Sequence, residues 1–183
     1  PDLGLDGNHG IRFVFPNAPA IPVTINQGYV MPAWYDILEM SLERKIDTAQ
    51  IEQSASSIRA LIAQENERGV PSEHIVIAGF SQGGAVAYQT ALSYDKPLAG
   101  LLTLSTYLAT KDSLVLSDAN KNLKIAIHHG TQDPVVPVQL GQEAKAWLES
   151  KGYQPQFYSY PMAHQVCMPK IKIIGKWLND VLA

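Results

Sequence analysis

The sequence predicts an α/β fold, a mostly parallel sheet flanked by helices. Three observations predict it. Short apolar runs alternate along the chain with segments of helical period. The runs Ile75–Phe80, Leu98–Leu104 and Leu123–His128 are nearly continuous in apolar character, as parallel strands buried on both faces are. The 183 residues, 46% hydrophobic and 17% charged, suffice for one domain over 1–183 with a sizeable core.

In chain order, Ile11–Phe15 is the first expected strand. Pro16–Asp36 holds four prolines and no clear period, so it reads as a long loop. Asp47 is the expected N-cap of the first helix, with Gln50 three residues on and Ile51, Ala55, Ile58 and Ile62 at helical spacing. Gly69 and Pro71 stop that helix. After the Ile75–Phe80 strand a second helix opens at Gln82 and runs to about Tyr94. Leu98–Leu104 is the next strand, Ser105–Asn122 a mostly polar loop, and Leu123–His128 a further strand. A third helix follows Pro137, a favourable first-turn residue, and carries Leu140, Ala144, Trp147 and Leu148 before Gly152. Gln156–Tyr160 is a weaker fifth strand. A fourth helix follows Pro169, with Ile171, Ile174, Trp177, Leu178 and Val181 on one stripe.

Composition excludes several functions. A formal charge of -3 gives no pull toward phosphate backbones or anionic membranes, so no nucleic-acid partner is expected. No apolar run approaches the ~18 residues of a membrane span, and no signal peptide opens the chain, which points to a soluble, cytoplasmic protein. The single cysteine, Cys167, rules out an internal disulfide framework or a cysteine-rich zinc site. Asp2, Asp6 and His9 have no metal-ligand spacing, and no metal is expected.

One segment carries chemistry. Gly79, Ser81 and Gly83 form a G-x-S-x-G pattern between a buried-type strand and a helix rich in small residues, the setting of a nucleophile elbow. The sharp turn strains the backbone at Ser81, and bulky neighbours at positions 79 and 83 would collide with strand and helix. The helix N-terminus behind the hydroxyl favours developing negative charge. An ordinary glycine-rich turn is the plainer alternative.

A serine hydroxyl needs a base. In an elbow arrangement the order is nucleophile, acid, histidine. His164 lies just past the last expected strand, where a loop can bring an imidazole to the sheet edge. His128 and His129 end a strand and read as packed or exposed residues. Asp133 follows a buried strand in a loop stiffened by Pro134 and Pro137, and would hold the His164 tautomer, although it could equally be a turn or cap residue. Cys167 has no base beside it by spacing and reads as an incidental thiol.

These residues resemble the bacterial carboxylesterases related to acyl-protein thioesterases and lysophospholipases, of α/β-hydrolase fold. The blocks from Ile11 to Pro19, Pro22 to Asn26, Trp34 to Ile37, Gly79 to Ala85, Leu104 to Tyr107, His129 to Pro137 and Tyr160 to His164 match in the family's order. The resemblance implies Ser81 as nucleophile, Asp133 as acid, His164 as base and the Gln82 backbone N–H as an oxyanion donor. It also implies a second donor, from an H-G-x-G loop after an early strand that this sequence lacks. The expectation is therefore an N-terminally shortened sheet, with weakened activity or with self-association, such as a homodimer, covering the edge. The resemblance places Val135 and the region of Ile25, Tyr29, Met31 and Trp34 at the acyl pocket, and their apolar character suits a fatty acyl chain. The expected function is hydrolysis of short to medium acyl esters, or of thioesters or lysophospholipids, through an acyl-enzyme, on small-molecule or lipid esters and without a cofactor. The alternative is a truncated, impaired hydrolase-fold protein or a non-enzymatic interaction module.

Overall fold

The computed structural model describes residues 2–5, 10–39 and 45–183. Asp6 and His9 lie outside the described residues. Along the chain run a hairpin of β1 (Ala20–Val23) and β2 (Tyr29–Pro32), α1 (Thr48–Glu67), β3 (Val76–Phe80), α2 (Gln82–Ser93), β4 (Gly100–Leu104), β5 (Lys124–Gly130), α3 (Val138–Ser150), β6 (Gln156–Tyr160) and α4 (Met168–Leu182). β3, β4, β5 and β6 form a parallel sheet in that order, with β3 and β6 at its edges.

The two-residue period of the strands decides which helices cover which face. Leu101, Ile125 and Ile127 point to one side, where they meet Ile62 of α1, Tyr88 and Leu92 of α2, and Leu148 of α3. Leu102 and Ala126 point to the other, against Ile174, Trp177 and Leu178 of α4. At Gly100 an added Cβ would sit 2.6 Å from the Trp177 ring, so the absence of a side chain there lets the indole lie on the sheet. Local signals place the helix starts. The Asp47 carboxylate accepts the Gln50 N–H at 3.0 Å, capping α1, and α3 begins directly after Pro137.

Two expectations are corrected. Residues 11–15 form no strand, although their apolar run reads as one. The described structure gives them no partner strand, and Phe13, Val14 and Phe15 are exposed. The expected loop at 16–36 instead contains the β1–β2 hairpin, paired from Ala20↔Pro32 to Val23↔Tyr29. Its two prolines are tolerated because a two-stranded ribbon is all edge.

Burial predicts where the fold is most sensitive. Leu101→Ala, at a fully buried position of the larger core, should lower the unfolding free energy by about 2–5 kcal/mol in urea titrations.

Candidate active site

The link between β3 and α2 is a single residue, Ser81, with φ 53° and ψ −122°. A non-glycine residue in this region costs about 1–3 kcal/mol and persists only where its surroundings fix it. Here the Ser81 N–H donates to the Leu104 carbonyl at 2.9 Å. Its own carbonyl accepts from the Thr106 hydroxyl at 2.6 Å and from the Gly84 N–H at 2.9 Å. A Cβ at Gly79 would stand 2.1 Å from the Gly83 carbonyl oxygen, so strand and helix backbones are in direct contact. Gly83 departs from expectation: a Cβ there meets only Trp34 Nε1, at an ordinary 3.7 Å. The crowded position is Gly84, where a Cβ would lie 2.4 Å from Thr106 Cγ2.

The Ser81 Oγ that this turn presents lies 3.1 Å from Nε2 of His164, in the loop between β6 and α4. His164 Nδ1 is 2.7 Å from Oδ2 of Asp133, in the loop between β5 and α3. The other Asp133 oxygen accepts the N–H groups of Val135 and Val136 at 2.9 and 2.8 Å. Burial alone would push the Asp133 carboxyl up. The hydrogen bonds from His164, Val136 and Val135 outweigh it and hold the group below the usual carboxylate range. An ionised Asp133 fixes the proton of neutral His164 on Nδ1, which leaves Nε2 to accept from the serine hydroxyl. The structure thus brings Ser81, His164 and Asp133 into one hydrogen-bonded chain from three loops.

Gln82 opens α2, so its N–H is one of the amides without a helical carbonyl partner. Its side chain accepts from the Trp34 N–H at 3.2 Å and donates to the Tyr35 carbonyl at 3.0 Å, tying the segment after the hairpin to the Ser81 turn. Trp34 lines a cleft of about 490 Å³ together with Ile21, Ser54 and Ile58. Ile25, Tyr29 and Met31 lie on the hairpin, with Tyr29 73% exposed, and Val135 stands half-exposed beside Asp133. The structure does not gather these four around that cleft.

Sequence reasoning missed the groups that support the chain. His128 and His129 are fully buried, as packing predicts, but each also holds a neighbour. His129 Nε2 lies 2.8 Å from the Val136 carbonyl and bridges the Asp133 loop, in a space kept open by Gly141, whose Cβ would fall 2.5 Å from the ring. His128 Nδ1 lies 2.8 Å from the Tyr160 hydroxyl. Burial, assisted by the nearby Lys170 charge, lowers His128 from its ordinary 6.5 to about 3. Burial also pushes the Tyr160 phenol up to about 12. The Phe80 ring packs 4.8 Å from the His164 imidazole. Cys167 precedes α4 as its N-cap residue, partly exposed.

Comparison with known proteins bears on the family and the fold. A family model described as phospholipase/carboxylesterase matches residues 7–182. Acyl-protein thioesterase 1 of Neurospora crassa is 37% identical over 94% of this chain and 74% of its own length. The protein of that name from Mycosarcoma maydis is 37% identical over 94% and 78%. A crystal structure of a variant of Arabidopsis thaliana SOBER1 superposes with a TM-score of 0.91 at 29% identity, covering 100% of this chain and 90% of its own. The chain belongs to the phospholipase/carboxylesterase family and has the α/β-hydrolase fold.

The buried His128 generates a pH prediction. The unfolded chain takes up a proton near pH 6.5 that the folded chain refuses until about 3, so stability falls as pH drops through that window. In urea unfolding between pH 6 and 4, His128→Gln should reduce the slope of stability against pH by up to ~1.4 kcal/mol per pH unit. An unchanged slope would contradict a neutral buried imidazole at this position.

Proposed function

We propose that this chain hydrolyses carboxylic esters and thioesters through an acyl-enzyme on Ser81. The observation that carries the reading is the unbroken contact from Ser81 Oγ to His164 to Asp133, at 3.1 and 2.7 Å, on a residue held in a strained turn. Ser81 Oγ attacks the carbonyl carbon while His164 Nε2 takes the hydroxyl proton. The resulting imidazolium faces the Asp133 carboxylate. Negative charge developing on the carbonyl oxygen is met by the Gln82 N–H at the positive end of α2. His164 then passes its proton to the departing alkoxide or thiolate, leaving the acyl group on Ser81. Water, deprotonated by the same imidazole, adds to that acyl carbon, and release of the acid returns the proton to Ser81.

The preferred acyl group is short to medium in length. Ile25, Tyr29, Met31, Trp34 and Val135 are the apolar residues assigned to it, and their surfaces suit a hydrocarbon better than a charged group. Relatives named acyl-protein thioesterase 1 support a thioester as the leaving bond.

A fluorophosphonate probe should label Ser81 covalently, and nitrophenyl esters of increasing acyl length should rank the substrates. Ser81→Ala and His164→Ala should abolish labelling and lower turnover at least ~10³-fold, with Asp133→Asn costing about 10³–10⁴-fold. A folded wild-type protein that neither labels nor hydrolyses, or a Ser81→Ala variant of undiminished activity, would overturn the reading.

A further inference from the structure

We infer that Lys170 is a positioning residue for the proposed reaction: its buried ammonium ties down the loop that carries His164 and braces the aromatic ring against which that imidazole rests. Lys170 lies in the first turn of α4 and has no solvent exposure. Its Nζ donates to the Gln165 carbonyl at 3.3 Å, one residue beyond His164. The same Nζ stands 5.8 Å from the centre of the Phe80 ring, within the range of a cation–π contact. Phe80 in turn is the residue before Ser81 and packs on the His164 ring. One ammonium therefore touches the strand end that delivers the nucleophile and the loop that delivers the base.

This placement is costly. Burial drags the lysine from its ordinary range down to about 8, against the pull of Cys167 and Asp133. A buried charge is strongly unfavourable unless hydrogen bonds and opposite charge compensate it, and an unbranched apolar side chain of similar length would fill the space without that cost. What such a side chain lacks is the donor to Gln165 and the positive charge. The charge acts on several titratable groups around it. Asp133, in the loop after β5, attracts it, as does the Cys167 thiol at the head of α4 in its ionised form. On β5 it works against protonation of both His128 and His129, and Tyr160 of β6 enters through its bond to His128. Lys170 thus joins a mechanical tie to an electrostatic bias on the same cluster.

The inference rests on the proposed function, so wild-type labelling at Ser81 by a fluorophosphonate is measured first. Absence of labelling in folded protein defeats that function and this role with it. Given labelling, Lys170→Met should lower kcat for a nitrophenyl ester by about tenfold or more with KM within about twofold, because a displaced base harms the chemical step more than binding. The acid limb of its kcat/KM profile should move to higher pH, since a positive charge has left the cluster. Lys170→Gln, which keeps a donor for the Gln165 carbonyl, should recover part of kcat while sharing the shifted limb, and it stands alone as the test if the methionine variant does not fold. Folded variants with unchanged kcat and an unmoved acid limb would overturn the role. So would a loss of activity that merely follows a lowered Tm with the acid limb unmoved.

Discussion

The site depends on one backbone constraint, the turn of positive φ at Ser81. Wherever a strand leads into a helix with a single residue between them, the chain must reverse within atoms of itself, and the side chain at the corner is thrust clear of both elements. Three features hold that corner here. Gly79 lets β3 touch the first turn of α2, Gly84 makes room for Thr106, and the Thr106 hydroxyl and the Leu104 carbonyl clamp Ser81 through its main chain. Because Leu104 and Thr106 belong to the end of β4 and the residues just after it, the neighbouring strand takes part in aiming the Ser81 hydroxyl. The sheet supplies a place for Ser81 and the strain that presents it.

Asp133 and His164, the proposed acid and base, come from loops, and loops need fastening. Asp133 is fastened by two amides of its own turn and by a loop bridged through His129. His164 is fastened by Asp133, by the Phe80 ring and, through the adjoining carbonyl, by Lys170. Beneath these residues lie buried groups whose surroundings disfavour charge: a His128 kept neutral, a Tyr160 kept protonated and a Lys170 ammonium drawn down toward neutrality. In a low-dielectric environment each of these charges or missing charges is felt strongly by its neighbours.

Much of this was legible in the sequence, for reasons that lie in particular residues. The buried strands announce themselves because both faces are covered, which leaves no polar alternation to confuse the pattern. Asp47 with Gln50 and Pro137 mark helix starts through local hydrogen bonding and fixed φ. The G-x-S-x-G spacing pointed to Ser81, and chain order to the two side chains that the fold brings into hydrogen-bond contact with it. The hairpin was not legible because prolines at 22 and 32 argue against strands, and only Gln27–Gly28, both at positive φ, could have signalled its turn. Residues 11–15 misled because apolar composition reports a wish for burial, whereas a strand also needs a partner to bond. Lys170 was invisible for a related reason. It lies four residues before Ile174 on the apolar stripe of α4, but a lysine in a sequence carries no mark of whether its charge reaches water.

The relay between His164 and Asp133 can be observed without any substrate. A proton held between an imidazole nitrogen and a carboxylate oxygen at 2.7 Å is charge-assisted and strongly deshielded, so it should give a far-downfield imidazole N–H resonance in the proton NMR spectrum of the protein in water. The account predicts that this resonance is present in the wild-type chain and disappears in both Asp133→Ala and His164→Ala, while Ser81→Ala retains it. A well-folded protein without the resonance, or one in which it survives either of the first two substitutions, would contradict the arrangement from which the proposed chemistry follows.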